Sequence, residues 1–255
     1  MKVIILAGGF GTRLSEYTDL VPKPMVRIGD RPILWHIMNI YAAYGFNEFI
    51  IALGYKGEYI KDYFLNYHHL QSDLTVELKT GKVTVAKKHF RDWVIKLVDT
   101  GKNTMTGGRL HRLQEHLKNE PFLLTYGDGL CNINIKKLLQ FHQNHQKIAT
   151  VTAVRPTARF GEMQFNDNKV TAFKEKPQTG EGWINGGFFI FQPEIFDYLQ
   201  GDNTVLEGSP MEILTKNGAL MAYKHTDFWQ CMDTLRDKNM LESLWQQDNP
   251  PWKIW

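Results

Sequence analysis

The chain has 255 residues and little of what marks most specialised classes of protein. It holds two cysteines, Cys131 and Cys231, and no CxxC pair. That excludes a disulfide framework and points to a reducing, cytoplasmic setting. No apolar run approaches the roughly 18 residues of a membrane span. The N-terminal stretch from Val3 to Ala7 stops at Gly8-Gly9, too short for the core of a secretory leader. Charge of one sign is scarce too: 30 Lys and Arg against 27 Asp and Glu leave +3, which argues against a nucleic-acid binder. There is no internal repeat, low-complexity segment or Gly/Ser linker. What is present is ordinary globular composition, 43% hydrophobic and 22% charged, enough for a sizeable core.

Strand and helix patterns alternate along the chain. Met1 to Ala7 is a short apolar, β-branched run ending in glycines, as a buried parallel strand would. Pro32 to Ala43 has helical spacing, Glu48 to Leu53 reads as a second strand, and Gly57 to Tyr67 as a helix. Leu74 to Ala86 alternates around a Gly-containing turn and predicts a hairpin, followed by a strand over Trp93 to Val98. Leu110, Leu113 and Leu117 are helically spaced, Phe122 to Tyr126 is an apolar strand, and Ile135 to His145 a helix. A strand over Ile148 to Val154 and a second hairpin over Met163 to Phe173 come next. Phe188 to Phe191 and Leu220 to Lys224 read as strands; Glu194 to Leu199, Pro210 to Lys216 and Thr234 to Gln247 read as helices. The expectation is one α/β domain over 1–255, Rossmann-like. Its central sheet would be mostly parallel, covered by helices on both faces, and mixed because of the β-hairpin insertions.

The most informative stretch is Leu6-Ala7-Gly8-Gly9-Phe10-Gly11-Thr12-Arg13-Leu14. Glycines after a buried strand let the backbone approach phosphate and present bare N–H groups, and an arginine can fork two phosphate oxygens. Lys23 stands between Pro22 and Pro24, which set its backbone direction in advance and suit it to aim an ammonium at an anion. A plain glycine turn with a solvated lysine fits the same residues. The glycine spacing is neither a G-x-G-x-x-G dinucleotide fingerprint nor a Walker A loop. Asp128 lies between two glycines just past the strand at Phe122 to Tyr126, at the edge where open α/β sheets place ligands. Asp233, immediately before the last helix, reads on its own as a helix cap.

L-A-G-G-x-G-T-R-L followed by P-K-P resembles the sugar-1-phosphate nucleotidylyltransferases. Pro32-Ile-Leu-Trp-His-Ile-Met38, Met105-Thr-Gly-Gly-Arg-Leu110, Thr125-Tyr-Gly-Asp-Gly129, Asn185-Gly-Gly-Phe-Phe189 and Trp229-Gln-Cys-Met-Asp-Thr-Leu-Arg-Asp237 are similar to its glucose-1-phosphate cytidylyltransferase branch. The resemblance spans essentially the whole chain; Arg27, Asp30, Arg31, Cys131 and Glu162-Met163-Gln164 depart from the branch's pattern.

The resemblance implies that Asp128 and Asp233 hold Mg²⁺, that Arg13, Lys23 and Asp128 are catalytic, and that Leu6 to Arg13, Lys23, Thr104, Arg109, Gly127 and Asp128 bind CTP. Gly161, Glu175, Lys176, Asn185, Gly186 and Gly187 would bind the sugar phosphate. The nucleotide half would be mainly 1–130, and 131–255 mainly the sugar-phosphate half with the C-terminal helix. The reaction implied is in-line transfer of CMP from CTP to α-D-glucose 1-phosphate, without a covalent intermediate, supplying CDP-sugars for surface polysaccharide and O-antigen. A homo-oligomer is expected, with no nucleic-acid or membrane partner. Rival readings are a transferase for another NTP or sugar 1-phosphate, a glycosyltransferase using a nucleotide sugar, and a non-catalytic nucleotide-binding regulator. The histidines lack metal-ligand spacing, and Trp252 and Trp255 are expected to pack on the body or a neighbouring subunit.

Overall fold

Val3–Leu6 form strand β1, buried along its whole length. Val3 and Ile5 face one hydrophobic layer, Ile4 and Leu6 the other, so this strand belongs in the middle of a sheet covered on both sides. A computed structural model, describing residues 1–86, 90–117, 120–156, 162–166, 169–174 and 182–255, places it there, in a seven-stranded sheet. The other strands are β2 (Glu48–Leu53), β3 (Val94–Asp99), β4 (Phe122–Tyr126), β5 (Ala149–Val154), β6 (Ile184–Phe191) and β7 (Leu220–His225). Their order across the sheet is β7-β5-β6-β4-β1-β2-β3. β1 runs parallel to β2 and β4, β2 to β3, and β5 to β7. β6 is antiparallel to both its neighbours, β4 and β5.

The sheet is therefore mixed, but not because of the hairpins. These form separate two-stranded ribbons, Leu74–Glu77 with Lys82–Val85 and Glu162–Asn166 with Lys169–Lys174. The reversal comes from β6. Among the described residues no helix links β5 to it, and a strand that returns without a crossover lies antiparallel to its neighbour.

Six helices matter for the layers: α1 (Ile33–Ala42), α2 (Gly57–Leu65), α3 (Thr106–Arg112), α4 (Ile135–His145), α5 (Ser209–Lys216) and α6 (Leu235–Trp245). Ile33 and Ile37 of α1, Leu138 of α4 and Leu241 of α6 pack with Val3 and Ile5. Leu110 of α3, Leu214 of α5 and Ile195 pack with Ile4 and Leu6 on the other face. Trp252 is fully buried in the first layer and Trp255 packs against it, so the tail closes on the body of its own chain. The helix expected over Gly57 to Tyr67 stops at Leu65, where the Asn66 amide bonds back to the Asp62 carbonyl; a separate one-turn α-helix covers Tyr67–Leu70. Glu194 to Leu199 is a 3₁₀ helix, Pro193–Tyr198, and the spacing around Leu110 splits into α3 and a 3₁₀ turn at Gln114–His116.

One small element went unseen in the sequence. Gly129–Cys131 pairs antiparallel with Trp229–Cys231, setting Cys231 opposite Gly129, and the Met232 N–H donates to the Asp128 carbonyl at 2.8 Å. Three residues per strand are too few for a periodic signal, yet this ribbon brings two distant aspartates side by side.

Burial lowers the pKa of His36, His142 and His225, and brings the first two down furthest. His36 on α1 has no exposed surface; its Nε2 lies 3.0 Å from the Ile28 carbonyl, and the Trp252 indole donates to its Nδ1 at 3.4 Å. Burial pulls its pKa down to about 4. His142 on α4 sits between Thr150 and Gln192, and burial, aided by His145, pulls it to about 4 as well. An unfolded chain takes up these protons near pH 6.5, whereas the folded chain does so only near pH 4. The stability from keeping them neutral is thus fully present above pH 6.5 and lost as pH falls towards 4. Between pH 7 and pH 5 each of His36 and His142 is expected to cost about 2 kcal/mol of stability. Urea unfolding at both pH values checks this, and His36→Gln should flatten the dependence; a wild-type stability equal at the two pH values would contradict it.

Candidate active site

The carboxyl ends of β1 and β4 and the amino end of antiparallel β6 meet at one edge of the sheet, and a cleft of about 630 Å³ opens there. Ligands of open α/β sheets lie at this edge. Leu6 to Arg13, Lys23, Thr104, Arg109, Gly127, Asp128, Asn185, Gly186, Gly187 and Asp233 all line it. Gly161, Glu175 and Lys176 lie outside the described residues.

The loop after β1 forms one wall of the cleft. Among the described residues, the Gly9, Phe10 and Gly11 amides donate no hydrogen bond within the chain. Arg13 follows on a 3₁₀ turn with its side chain largely in solvent. Lys23 opens another 3₁₀ turn, whose entry is fixed by Pro22 and which the Met25 N–H closes onto the Pro22 carbonyl at 2.7 Å.

Charge converges on Lys23. Its ammonium donates to Asp128 Oδ2 at 2.6 Å and to Asp233 Oδ1 at 2.5 Å, while Arg13 donates to Asp233 Oδ2 at 2.6 Å. Burial pulls the Lys23 pKa down, but the two aspartates outweigh it and hold the group above its ordinary value. Asp233 is not a helix cap: Thr234 caps α6, in a capping box with Asp237. Two carboxylates meeting at one point fit a hard divalent cation, which takes one or two carboxylates and fills its remaining positions with phosphate oxygens and water. Among the described residues no cluster of three or more acidic, Cys or His side chains could hold a metal by itself, so substrate oxygens are needed to complete such a site.

Arg109 lines the cleft and also bonds extensively to the chain's own backbone. It is buried, and its terminal nitrogens donate to the Leu53, Gly101, Gly8 and Lys102 carbonyls and to Thr100 Oγ1, at 2.7–3.3 Å. One side chain from α3 thus ties together the loops that follow β1, β2 and β3. The approach is so close that a Cβ on Gly8 would lie 2.3 Å from the guanidinium carbon, and one on Gly54 2.4 Å from a guanidinium nitrogen. Gly8 is therefore glycine to admit Arg109 as well as to present the loop.

Sequence reasoning missed a polar network at the other end of the cleft. The Tyr126 hydroxyl donates to Glu207, and Glu207 also accepts from Thr106 at 2.7 Å. The Asn185 amide donates to Tyr126 at 3.2 Å, its own oxygen accepts from the Gly187 N–H at 2.9 Å, and the Trp229 indole donates to the Gly186 carbonyl at 2.7 Å. Tyr126 had a signal, its place at a strand end before Gly127-Asp128; Glu207, in an irregular stretch, had none. Cys231 also lines the cleft, and burial with Asp233 and Asp128 pushes its thiol up to about 12; Cys131 is buried and lies outside the lining.

The family described as nucleotidyl transferase matches residues 2–246. The glucose-1-phosphate cytidylyltransferase of Salmonella typhimurium is 49% identical over the full length of both chains. The mannose-1-phosphate guanylyltransferase catalytic subunit beta of Drosophila melanogaster is 30% identical, over 95% of this chain and 62% of that one. Among solved structures, HddC from Yersinia pseudotuberculosis shares the fold with a TM-score of 0.69 at 23% identity, over 95% of this chain and 98% of that one.

Arg109→Lys tests the tie between the loops. A single ammonium cannot reach five acceptors on three loops, and the oxygens it abandons stay buried. The variant is expected to lose roughly 3 kcal/mol in urea unfolding; wild-type stability would show that the loops hold themselves.

Proposed function

The chain belongs to the nucleotidyl transferase family, and we propose that it transfers CMP from CTP to α-D-glucose 1-phosphate, giving CDP-glucose and pyrophosphate. The observation that carries the reading is the meeting of Lys23, Arg13, Asp128 and Asp233 beside the glycine loop. The choice of cytidine and glucose comes from the 49% identical relative named for that reaction.

In this reading the loop amides, Arg13 and Lys23 receive the triphosphate, Thr104 and the backbone around Leu6 to Gly9 face the base, and Arg109 serves by holding that backbone. Asp128 and Asp233 hold a divalent cation, Mg²⁺. When bound, it screens the negative charge that keeps two phosphates apart. Asn185, with one amide hydrogen engaged by Tyr126, donates its other to a sugar hydroxyl, and Gly186 and Gly187 let the sugar approach. Gly161, Glu175 and Lys176 complete the sugar-phosphate side, so that 1–130 serve mainly the nucleotide and 131–255 mainly the sugar phosphate. A phosphate oxygen of glucose 1-phosphate attacks the α-phosphorus in line and pyrophosphate leaves opposite. The attacker is already an anion, so no general base is needed, and no histidine lines the cleft among the described residues. Catalysis is positioning and charge neutralisation.

We read the protein as cytoplasmic and homo-oligomeric, supplying CDP-glucose for surface polysaccharide. A second reading keeps the chemistry and changes the substrates, since a 30% identical relative is named for guanylyl transfer to mannose 1-phosphate. Pyrophosphate release across four NTPs and several sugar 1-phosphates, with Mg²⁺, decides between them. CTP with glucose 1-phosphate is expected to be fastest; a faster pair would replace the substrates, and no release with any pair would remove the reading. Lys23→Ala should lower turnover about 10²–10³-fold, and Asp128→Ala should abolish it with the fold intact by circular dichroism. Near-normal rates in either variant would overturn that residue's role.

A further inference from the structure

Lys23 makes two contacts that phosphate binding alone does not explain. Its ammonium lies within 2.6 Å of both Asp128 and Asp233, and only 13% of its side chain is exposed, so solvent does little to screen the pair. The point where the two carboxylates meet is the one from which a divalent cation would draw its protein ligands. Two cations at that point repel each other strongly, and each neutralises the same acids. The geometry points to Lys23 as an exchangeable counterion: it neutralises Asp128 and Asp233 in the protein alone, and yields to a divalent cation that comes with the triphosphate, its ammonium then turning to the phosphate oxygens.

The backbone permits such an exchange without rearrangement. Pro22 and Pro24 flank Lys23, and the Met25 and Val26 N–H groups close the turn onto Pro22 and Lys23, so only the four-carbon stem has to swing. Arg13 bonds Asp233 from the solvent side through the carboxylate oxygen that Lys23 does not use. One consequence is functional. Free divalent cation binds the protein weakly, and metal and nucleotide enter together, because only the nucleotide offers the displaced ammonium a new anion. The destination of the ammonium rests on the proposed nucleotidyl transfer; the competition at the carboxylates does not.

Titration of Mn²⁺ alone into the full chain, followed by electron paramagnetic resonance, tests this. Lys23→Gln and Lys23→Met are expected to bind Mn²⁺ at least about ten-fold more tightly than wild type, as removal of a unit charge at near contact requires. Adding Asp128→Asn to Lys23→Gln should abolish the gain. Affinity equal to or below wild type in both folded single variants would overturn the proposal. If neither variant folds, judged by circular dichroism, the side-chain resonance of Lys23 in isotope-labelled wild type decides. It should shift when Mg²⁺ and CTP are added without sugar phosphate, and an unchanged resonance overturns the proposal. The Mn²⁺ titration contains no nucleotide or sugar phosphate. Its failure leaves the cytidylyl reading standing, and failure of pyrophosphate release leaves the counterion exchange standing.

Discussion

A single buried guanidinium holds the glycine-loop end of the cleft in shape. Arg109 reaches from α3 across the ends of β1, β2 and β3 and bonds to the carbonyls of Gly8, Leu53, Gly101 and Lys102. Parallel strands end in carbonyl-rich loops that have no partner in the sheet, and a buried carbonyl without a donor costs free energy. Arginine alone among side chains carries five donors in a rigid fork and stays charged. Gly8 and Gly54 leave the room it needs. With the loop pinned from beneath by Arg109, the Gly9 to Gly11 amides are left to face the cleft.

The second constraint is charge. Two acids and two bases meet at the mouth of the cleft, from parts of the chain that lie up to 220 positions apart. Arg13 and Lys23 come from turns after β1, Asp128 from the end of β4, and Asp233 from the entry to α6. The ribbon of Gly129–Cys131 with Trp229–Cys231 closes the distance between the aspartates. Burial and the two neighbouring aspartates push the Cys231 thiol, which lines the same cleft, up to about 12, so it is a poor nucleophile there.

Much of this was legible in the sequence, and the exceptions have physical causes. Strands β1, β2 and β4 and helix α4 were readable because each is a continuous apolar or amphipathic run bounded by Gly, Asp or Asn. Leu6 to Arg13, Lys23 and Asp128 were readable because local chemistry, namely glycines, prolines and a strand end, marks them. Asp233 needed the family resemblance, since before a helix an aspartate reads as a cap, and only the three-residue ribbon shows its true neighbour. The antiparallel sense of β6 and the start of that strand at Ile184 were hidden because Asn185-Gly186-Gly187 reads as a turn. There Gly187 takes a φ of +78° against the Tyr126 ring, and the register with β5 shifts. Arg109 was found as a residue, but its bonds to the carbonyls beneath the loop were not foreseen. Nothing in a motif tells whether an arginine faces the ligand or the carbonyls beneath it.

The proposed transfer requires the cleft to align two phosphates for one direct displacement and to contribute no covalent partner. The stereochemical course at the α-phosphorus tests it most directly. With a single diastereomer of CTP carrying sulfur at the α-phosphate, and with glucose 1-phosphate as acceptor, one in-line displacement gives CDP-glucose of inverted configuration at that phosphorus. Retention would require two displacements through a nucleotidylated side chain and would contradict the account.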